Sequence, residues 1–121
     1  MKFTKDHEWV LVNGNIATIG ITQYAADALG ELVYVELPNI GNAYEVGKPF
    51  AVVESSKSAS DVYMPISGKI VEVNSSLNNT PELINNSPLQ DGWIAKVEIT
   101  NDSPLNSAMN EEEYKNFLQN Q

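Results

Sequence analysis

The sequence predicts a mainly β protein, a sandwich or flattened barrel of antiparallel strands with short helices and a helical C-terminal tail. Short runs of β-branched and aromatic residues follow one another along most of the chain. Turn residues such as Gly, Pro, Asn and Ser separate these runs at close intervals, and no regular alternation of strands and long helices indicates a parallel sheet. We expect a single domain over residues 1–121, with the helical tail at about 103–119.

The first thirty residues predict a hairpin followed by a short helix. Glu8–Val12 and Asn15–Ile21 are strand-like, and Asn13-Gly14 between them supplies the positive φ angles of a type I′ turn. Thr22 can cap a helix of about two turns, and Gly30 suits the left-handed position after its end. The residues of this helix that fall at helical spacing are Tyr24, Ala25, Ala28 and Leu29.

The middle of the chain is predicted to be β. Residues 31–37 form a β-rich run that Pro38 ends, with Leu32, Tyr34 and Glu36 expected on one face. Further strands are expected at Pro49–Glu54, Ala59–Tyr63, Gly68–Val73 and Trp93–Thr100.

Capping patterns predict the remaining helical segments. Thr80-Pro81-Glu82 is typical of a helix start with proline at its first position, and Ser103-Pro104 repeats that pattern. Three glutamates after Asn110 favour the start of a last helix. An apolar stripe on this helix can dock on a sheet, and it consists of Tyr114, Phe117 and Leu118.

Composition excludes several function classes. The chain has 16 acidic residues, seven lysines and no arginine, for a net charge of −9. Nucleic acids and anionic membranes bind proteins through clustered cations, so a protein or cationic partner is expected instead. No apolar run is long enough to cross a bilayer and the first residues lack a signal peptide's apolar segment, so we expect a cytoplasmic protein.

Residues able to perform catalysis by themselves are scarce. The chain has no cysteine, and its one histidine, His7, is expected to be a surface residue near the chain end. No calcium-loop or phosphate-loop pattern occurs, and we expect no metal. The sequence therefore disfavours an enzyme with its own catalytic machinery.

Lys57 lies among small polar residues between two strand-like runs. Its neighbours Ser56 and Ser58 leave the ammonium group sterically open, while Glu54 and Asp61 lie three residues before and four residues after it. This pattern predicts a hairpin tip that presents an amine, and such a lysine suits covalent modification. Most exposed lysines in turns are simply solvated, so the local pattern leaves both interpretations open.

The segment around Lys57 strongly resembles the lipoyl-lysine signature of the glycine cleavage system H protein family. The resemblance runs from Glu54 to Tyr63 and continues through Pro65, Ser67-Gly68 and residues 71–74. Further landmarks of that family occur in its order between about Phe3 and Leu118: His7-Glu8-Trp9, Gly20-Ile21-Thr22, Leu29 to Pro38 with Gly41, Leu83-Ile84-Asn85 with Ser87-Pro88, and Asp91-Gly92-Trp93. Several motifs spread over the chain are more specific than one lysine in a turn.

The resemblance implies a fold, a cofactor and a set of partners. The fold is a flattened barrel of two antiparallel sheets, related to the hammerhead-like lipoyl and biotinyl carrier domains, with a lipoyl-type core at about 16–100. The protein would be a carrier and not an enzyme, with lipoate in amide linkage on Lys57. A glycine decarboxylase would load an aminomethyl group, an aminomethyltransferase would unload it, and a dihydrolipoyl dehydrogenase would reoxidise the cofactor.

The resemblance also assigns roles to individual carboxylates. Glu8 and Asp61 match positions that contact the loaded arm, and Glu54 matches a glutamate through which the lipoylating enzyme recognises the turn. We expect a monomer that binds neither nucleic acid nor membrane. The chain departs from the family pattern at Ser56 and Ser58, at Leu89-Gln90 before Trp93, and at Ala28 in the first helix.

Three kinds of protein are alternatives to this interpretation: other carrier domains, lipoyl-relay proteins and interaction modules. Acyltransferase lipoyl domains place Asp before the lysine and biotin carriers place Met on both sides, and Ser56 and Ser58 match neither. A related protein that relays lipoyl groups to other enzymes would use the same lysine. An acidic interaction module with an unmodified Lys57 is a third possibility.

Overall fold

The computed structural model describes residues 1–120, in which nine strands form two antiparallel sheets. The strands are β1 Lys2–Phe3, β2 Glu8–Asn13, β3 Ile16–Ile21, β4 Leu32–Glu36, β5 Ala43–Tyr44, β6 Pro49–Ser55, β7 Ala59–Tyr63, β8 Ser67–Val73 and β9 Ala95–Asn101. The helices are α1 Gln23–Leu29, α2 Leu83–Asn86 and α3 Glu111–Gln119, with 3₁₀ turns at Ser75–Asn78 and Ser103–Asn106.

One sheet has six strands in the order β1-β2-β3-β9-β8-β5, and the other has three in the order β4-β6-β7. Every strand pair is antiparallel. The prediction of two antiparallel sheets with short helices and a helical tail is therefore confirmed. Strands β1 and β5 were missed because two residues are too short to show an alternating pattern.

The opening hairpin forms as predicted, but its turn differs. Asn13 pairs with Ile16, so the two-residue loop is Gly14-Asn15. Only Gly14 has a positive φ, of 67°. A type I′ turn needs positive φ at both central residues, whereas a type II′ turn needs it only at the first. The expected type I′ turn at Asn13-Gly14 is therefore wrong by one position and in type.

Strand β4 does not alternate as the sequence predicted. Leu32 and Val35 are buried, while Val33, Tyr34 and Glu36 are exposed. The register against β6 shifts between Leu32 and Tyr34, which marks a bulge. Because a bulge inserts one residue into the period of two, the residues on either side of it change face.

Helix α1 begins and ends where its capping residues predicted. The Thr22 hydroxyl accepts a hydrogen bond from the N–H of Ala25, and Gly30 follows the last turn with φ of 90°. Its buried face is centred on Ala26, however, and the expected Tyr24 and Ala28 are exposed. Helix α2 begins at Leu83, two residues after the predicted proline, whereas α3 begins at the predicted glutamates and is capped by Asn110, which the sequence did not single out as a cap.

The C-terminal helix is held by a small aromatic cluster separate from the main core. Phe3, Trp9 and Tyr114 are its buried members, and Phe117 and Leu118 pack against them. The stripe predicted on this helix therefore docks on β1 and β2. The cluster ties the tail to the first strands of the chain, which also carry Glu8.

Candidate functional site

Lys57 lies at the exposed tip of the hairpin formed by β6 and β7, which we call the Lys57 hairpin (residues 49–63). The backbone N–H of Ser55 donates to the carbonyl of Ser58 over 2.8 Å. The Ser55 hydroxyl accepts from the backbone N–H groups of Lys57 and Ser58, each over 3.2 Å. Ser55 therefore closes the turn, and the Lys57 side chain takes no part in it.

The aliphatic part of Lys57 lies beside Gly30 at the end of α1. A Cβ atom at Gly30 would lie 3.4 Å from Cε of Lys57 and 3.7 Å from its Nζ. The φ of 90° at Gly30 falls in the left-handed region that favours glycine. The first helix therefore ends, next to the lysine, at a residue that has no side chain.

Asn85 holds the backbone between Gly30 and Leu32 in place. Its Nδ2 donates to the carbonyl of Gly30 over 2.9 Å, and its Oδ1 accepts from the N–H of Leu32 over 2.9 Å. One amide thus satisfies two backbone groups of the turn between α1 and β4. Sequence analysis identified Asn85 only as part of a motif, because the partners lie more than fifty residues away.

Glu8 is a buried carboxylate, with 3% of its surface exposed. Its Oε1 accepts a hydrogen bond of 2.7 Å from the hydroxyl of Thr4. The pKa of Glu8 is raised to about 7, chiefly by burial and to a smaller extent by nearby Asp6, while hydrogen bonds from Thr4 and from the backbone of Tyr63 partly oppose the shift. Glu8 is therefore partly protonated near neutral pH.

No cation compensates this carboxylate within the described part of the chain. The one salt bridge found over residues 1–120 joins Lys96 to Glu72 at 4.0 Å. A buried carboxylate without a cationic partner is costly to ionise, and an ammonium group brought to it would favour the charged form.

A cleft of about 340 Å³ lies beside Glu8, and we call it the Glu8 cleft. Four segments line it: Thr4-Lys5-Asp6 together with Glu8, the turn at Val46-Gly47, Met64-Pro65 after β7, and the tail at Pro104, Ser107 and Ala108. Residues far apart in sequence thus meet at one carboxylate. The tail contribution was not expected from the sequence.

The predicted site residues do not all meet at one place. Glu8 lies in the cleft, but Asp61 is exposed on β7 opposite Val52 and does not line it. Glu54 is half-buried on β6, opposite Ala59, next to the tip. The residues directly after the Lys57 hairpin, Met64 and Pro65, line the cleft beside Glu8.

His7 is not the surface residue that the sequence predicted. It is half-buried, and its Nδ1 lies 2.8 Å from the hydroxyl of Tyr114. The same hydroxyl lies 2.7 Å from Oγ1 of Thr22. Burial lowers the pKa of His7 below its ordinary value, although Asp6 opposes this. No short-range pattern could have revealed this contact, which joins residues 107 positions apart.

The family model described as glycine cleavage H-protein matches residues 1–121. A glycine cleavage system H protein of Phenylobacterium zucineum is 48% identical over 120 residues, which cover 99% of each chain. The chain belongs to the glycine cleavage H-protein family. A mitochondrial family member of Flaveria trinervia is 52% identical over 119 residues, which cover 98% of this chain and 72% of that protein.

A solved structure from the same family supports the fold. The crystal structure of a glycine cleavage system H protein from Mycobacterium marinum matches with a TM-score of 0.88 at 35% identity, over 98% of this chain and 95% of that one. The resemblance found in the sequence, including its fold, is therefore confirmed.

Membership of the H-protein family establishes the role of the chain. It is a lipoyl carrier in glycine cleavage and not a catalyst, and family members hold lipoate covalently on a lysine. The role implies interaction with the decarboxylase, the aminomethyltransferase and the dihydrolipoyl dehydrogenase. No helix within residues 1–120 has the length and apolar character needed to cross a membrane.

Proposed function

We propose that Lys57 is the lysine that carries lipoate in this chain. The main support for this proposal is the position of Lys57, which is an exposed residue at the tip of a turn that Ser55 closes. Ser56 and Ser58 are also exposed and small, so an enzyme can approach the amine from several directions. Amide formation would remove the charge of Lys57 without removing any contact that stabilises the turn.

The surroundings of Lys57 fit a long acyl arm. About eleven bonds separate Cα of a lipoyl-lysine from its ring, which gives a reach on the order of 13 Å. Strand β7 runs about the same distance from Ala59 to Tyr63, at roughly 3.3 Å per residue. Because Lys57 lies two residues before Ala59, the ring of an arm that follows β7 reaches to about Asp61, and a group attached to its sulfur extends from there towards the Glu8 cleft.

A lipoyl group on Lys57 supplies a disulfide that is reduced as it takes up the aminomethyl group, chemistry that this cysteine-free sequence lacks. We propose that Glu8 receives the ammonium end of that cargo. The buried carboxylate has no cationic partner within residues 1–120, and a charge-assisted hydrogen bond to the amine would compensate it. The cleft would also keep water from the labile adduct.

Asp61 and Glu54 have separate proposed roles near the arm. Asp61 lies on β7 two residues before Tyr63, so it can contact the arm along its path but not inside the cleft. We propose that the lipoylating enzyme recognises Glu54, three residues before Lys57, together with the tip of the hairpin. We further propose that the chain acts as one carrier domain and a monomer, and its cytoplasmic location stays a prediction.

Intact mass spectrometry of protein from a host supplied with lipoate tests the assignment of Lys57. We expect the mass of one added lipoyl group in the wild type, its loss in Lys57→Ala, and its retention in Lys48→Ala, which removes another exposed lysine. An unmodified wild type, or a Lys57→Ala variant that is still lipoylated, would contradict the assignment. Glycine–bicarbonate exchange with the decarboxylase then tests whether the lipoylated protein serves glycine cleavage.

A further inference from the structure

Tyr114 in the C-terminal helix connects two structures that border the Glu8 cleft. Its hydroxyl contacts the His7 side chain over 2.8 Å, and its ring stacks on Phe3 with a centroid distance of 4.8 Å and an interplanar angle of 8°. Tyr114 is itself buried, with 5% of its surface exposed. The same hydroxyl lies 2.7 Å from Oγ1 of Thr22, so two side chains hold it in place.

The first connection leads from Tyr114 to the loop that carries Glu8. His7 is the one residue other than glycine with a positive φ, 67°, among residues 1–120. Such a conformation is unfavourable for an L-residue unless its surroundings hold it. Here the His7 ring is held by the Tyr114 hydroxyl and by Tyr24, whose ring centroid is 4.5 Å away.

The loop from Thr4 to Glu8 is closed by its own hydrogen bonds around His7. The N–H of His7 donates to the carbonyl of Thr4 over 3.1 Å, and the N–H of Thr4 donates to the carbonyl of Glu8 over 3.0 Å. The Thr4 hydroxyl donates to the Glu8 carboxylate. A change in the backbone of His7 would therefore change where the carboxylate points.

The second connection leads from Tyr114 to the tail side of the cleft. Phe3 and Met109 exchange two backbone hydrogen bonds, each of 2.7 Å. Ala108, directly before Met109, and Ser107 line the Glu8 cleft. The stack of Tyr114 on Phe3 thus secures the segment that covers one side of the carboxylate.

We propose that Tyr114 is a positioning residue for the carrier function: by holding His7 and the Phe3–Met109 pair, it fixes the Glu8 carboxylate and closes the tail side of the cleft that receives the aminomethyl group. This proposal rests on the function proposed for Glu8. It assigns the C-terminal helix a part in protecting the cargo, beyond stabilising the fold.

The test compares Tyr114→Phe, which keeps the ring stack and removes the hydroxyl, with the wild type. The lipoylated protein is loaded with glycine and the decarboxylase, and the lifetime of the aminomethyl-loaded form is followed by intact mass spectrometry. We expect the lifetime to fall by about two- to tenfold, the factor that one neutral hydrogen bond is worth. The control is Ile70→Val, a conservative change in the main core, which should leave the lifetime unchanged even where it lowers stability.

A second measurement detects positioning without any cargo. In the unloaded protein, ¹³C NMR titration of the Glu8 carboxyl should give a pKa closer to its ordinary value in Tyr114→Phe than in the wild type, because an opened cleft admits water. His7→Phe removes the bond between His7 and Tyr114 but keeps the contact of Tyr114 with Thr22, so the double variant should lose little more lifetime than Tyr114→Phe alone.

The outcomes separate this proposal from the one for Glu8. An unchanged lifetime and an unchanged Glu8 titration in Tyr114→Phe would overturn the positioning role. If Glu8→Gln leaves the lifetime unchanged while Tyr114→Phe still shifts the titration, then Tyr114 positions Glu8 and the holding role of Glu8 fails. Equal losses of lifetime in Tyr114→Phe and Ile70→Val would mean that stability alone matters, which would also overturn the proposal.

Discussion

The hydroxyl of Thr4 donates a 2.7 Å hydrogen bond to Oε1 of Glu8, and the N–H of Glu8 donates back to the same hydroxyl oxygen over 3.2 Å. This pair keeps a buried carboxylate in one orientation where no cation does so within residues 1–120. The buried carboxylate should therefore affect both the free energy of unfolding and the lifetime of the aminomethyl-loaded form.

The stability of the protein should decrease with rising pH because of Glu8. Folding raises the pKa of Glu8 from its ordinary 4.5 to about 7, so the folded state favours the protonated form. Below the pKa of the unfolded state, Glu8 is protonated in both states and does not lower the free energy of unfolding. The cost grows as the pH rises through the interval between the two values and is constant above it.

Glu8→Gln removes this cost because the amide is neutral at every pH. The free energy of unfolding of the variant relative to the wild type should therefore increase between about pH 5 and about pH 8, by up to about 3 kcal/mol. Urea denaturation of both proteins at several pH values measures the difference. A difference that does not change with pH would contradict the buried, ionisable state of Glu8.

The same variant should protect the aminomethyl cargo less well. A neutral amide loses the charge-assisted part of the bond to an ammonium group, so we expect the lifetime of the loaded form to fall roughly tenfold or more. Asp61→Asn should have a smaller effect, because Asp61 is exposed and outside the cleft. Both lifetimes can be followed by intact mass spectrometry, and equal effects would show that the cleft is not the resting place.

Asn85→Ala should destabilise the turn next to Lys57. The change leaves the carbonyl of Gly30 and the N–H of Leu32 without their partner, at a cost of about 2 kcal/mol. The exposed neighbour provides a control, since Asn86→Ala should change stability by less than about 0.5 kcal/mol. Thermal denaturation measures both, and similar values would refute the bridging role of Asn85.

Asn110→Ala should loosen the C-terminal helix at its start. The Asn110 side chain accepts from the N–H of Glu113 over 2.8 Å, and the Glu113 carboxylate accepts from the N–H of Asn110 over 2.9 Å. Loss of such a cap costs about 1 kcal/mol. Hydrogen exchange should show faster exchange in residues 111–114 than in the wild type, and unchanged rates would mean that the aromatic cluster alone holds the helix.

The sequence predicted the parts of the fold that depend on neighbouring residues. The Lys57 hairpin, the Thr22 cap and the Gly30 end of α1 follow from local conformational preferences, and all form as expected. The β4 bulge did not follow from them, because a bulge is set by the partner strand.

The sequence predicted only those site residues that belong to a recognisable motif. Lys57 and Glu8 were identified by resemblance, but the burial of Glu8 depends on the tail, and the contact of His7 with Tyr114 joins the two ends of the chain. Such contacts result from packing of the whole fold. The resemblance therefore assigned Glu8 and Asp61 the same kind of contact, whereas the structure makes one buried and the other exposed.

Ser55 closes the turn at the tip of the Lys57 hairpin without help from the Lys57 side chain. Because the hydroxyl of Ser55 and the carbonyl of Ser58 make the bonds at the tip, the fold does not depend on what is attached to Lys57. Under the proposed assignment of lipoate to Lys57, the unmodified and the lipoylated protein share the same hydrogen bonds at the tip, and acylation can follow folding.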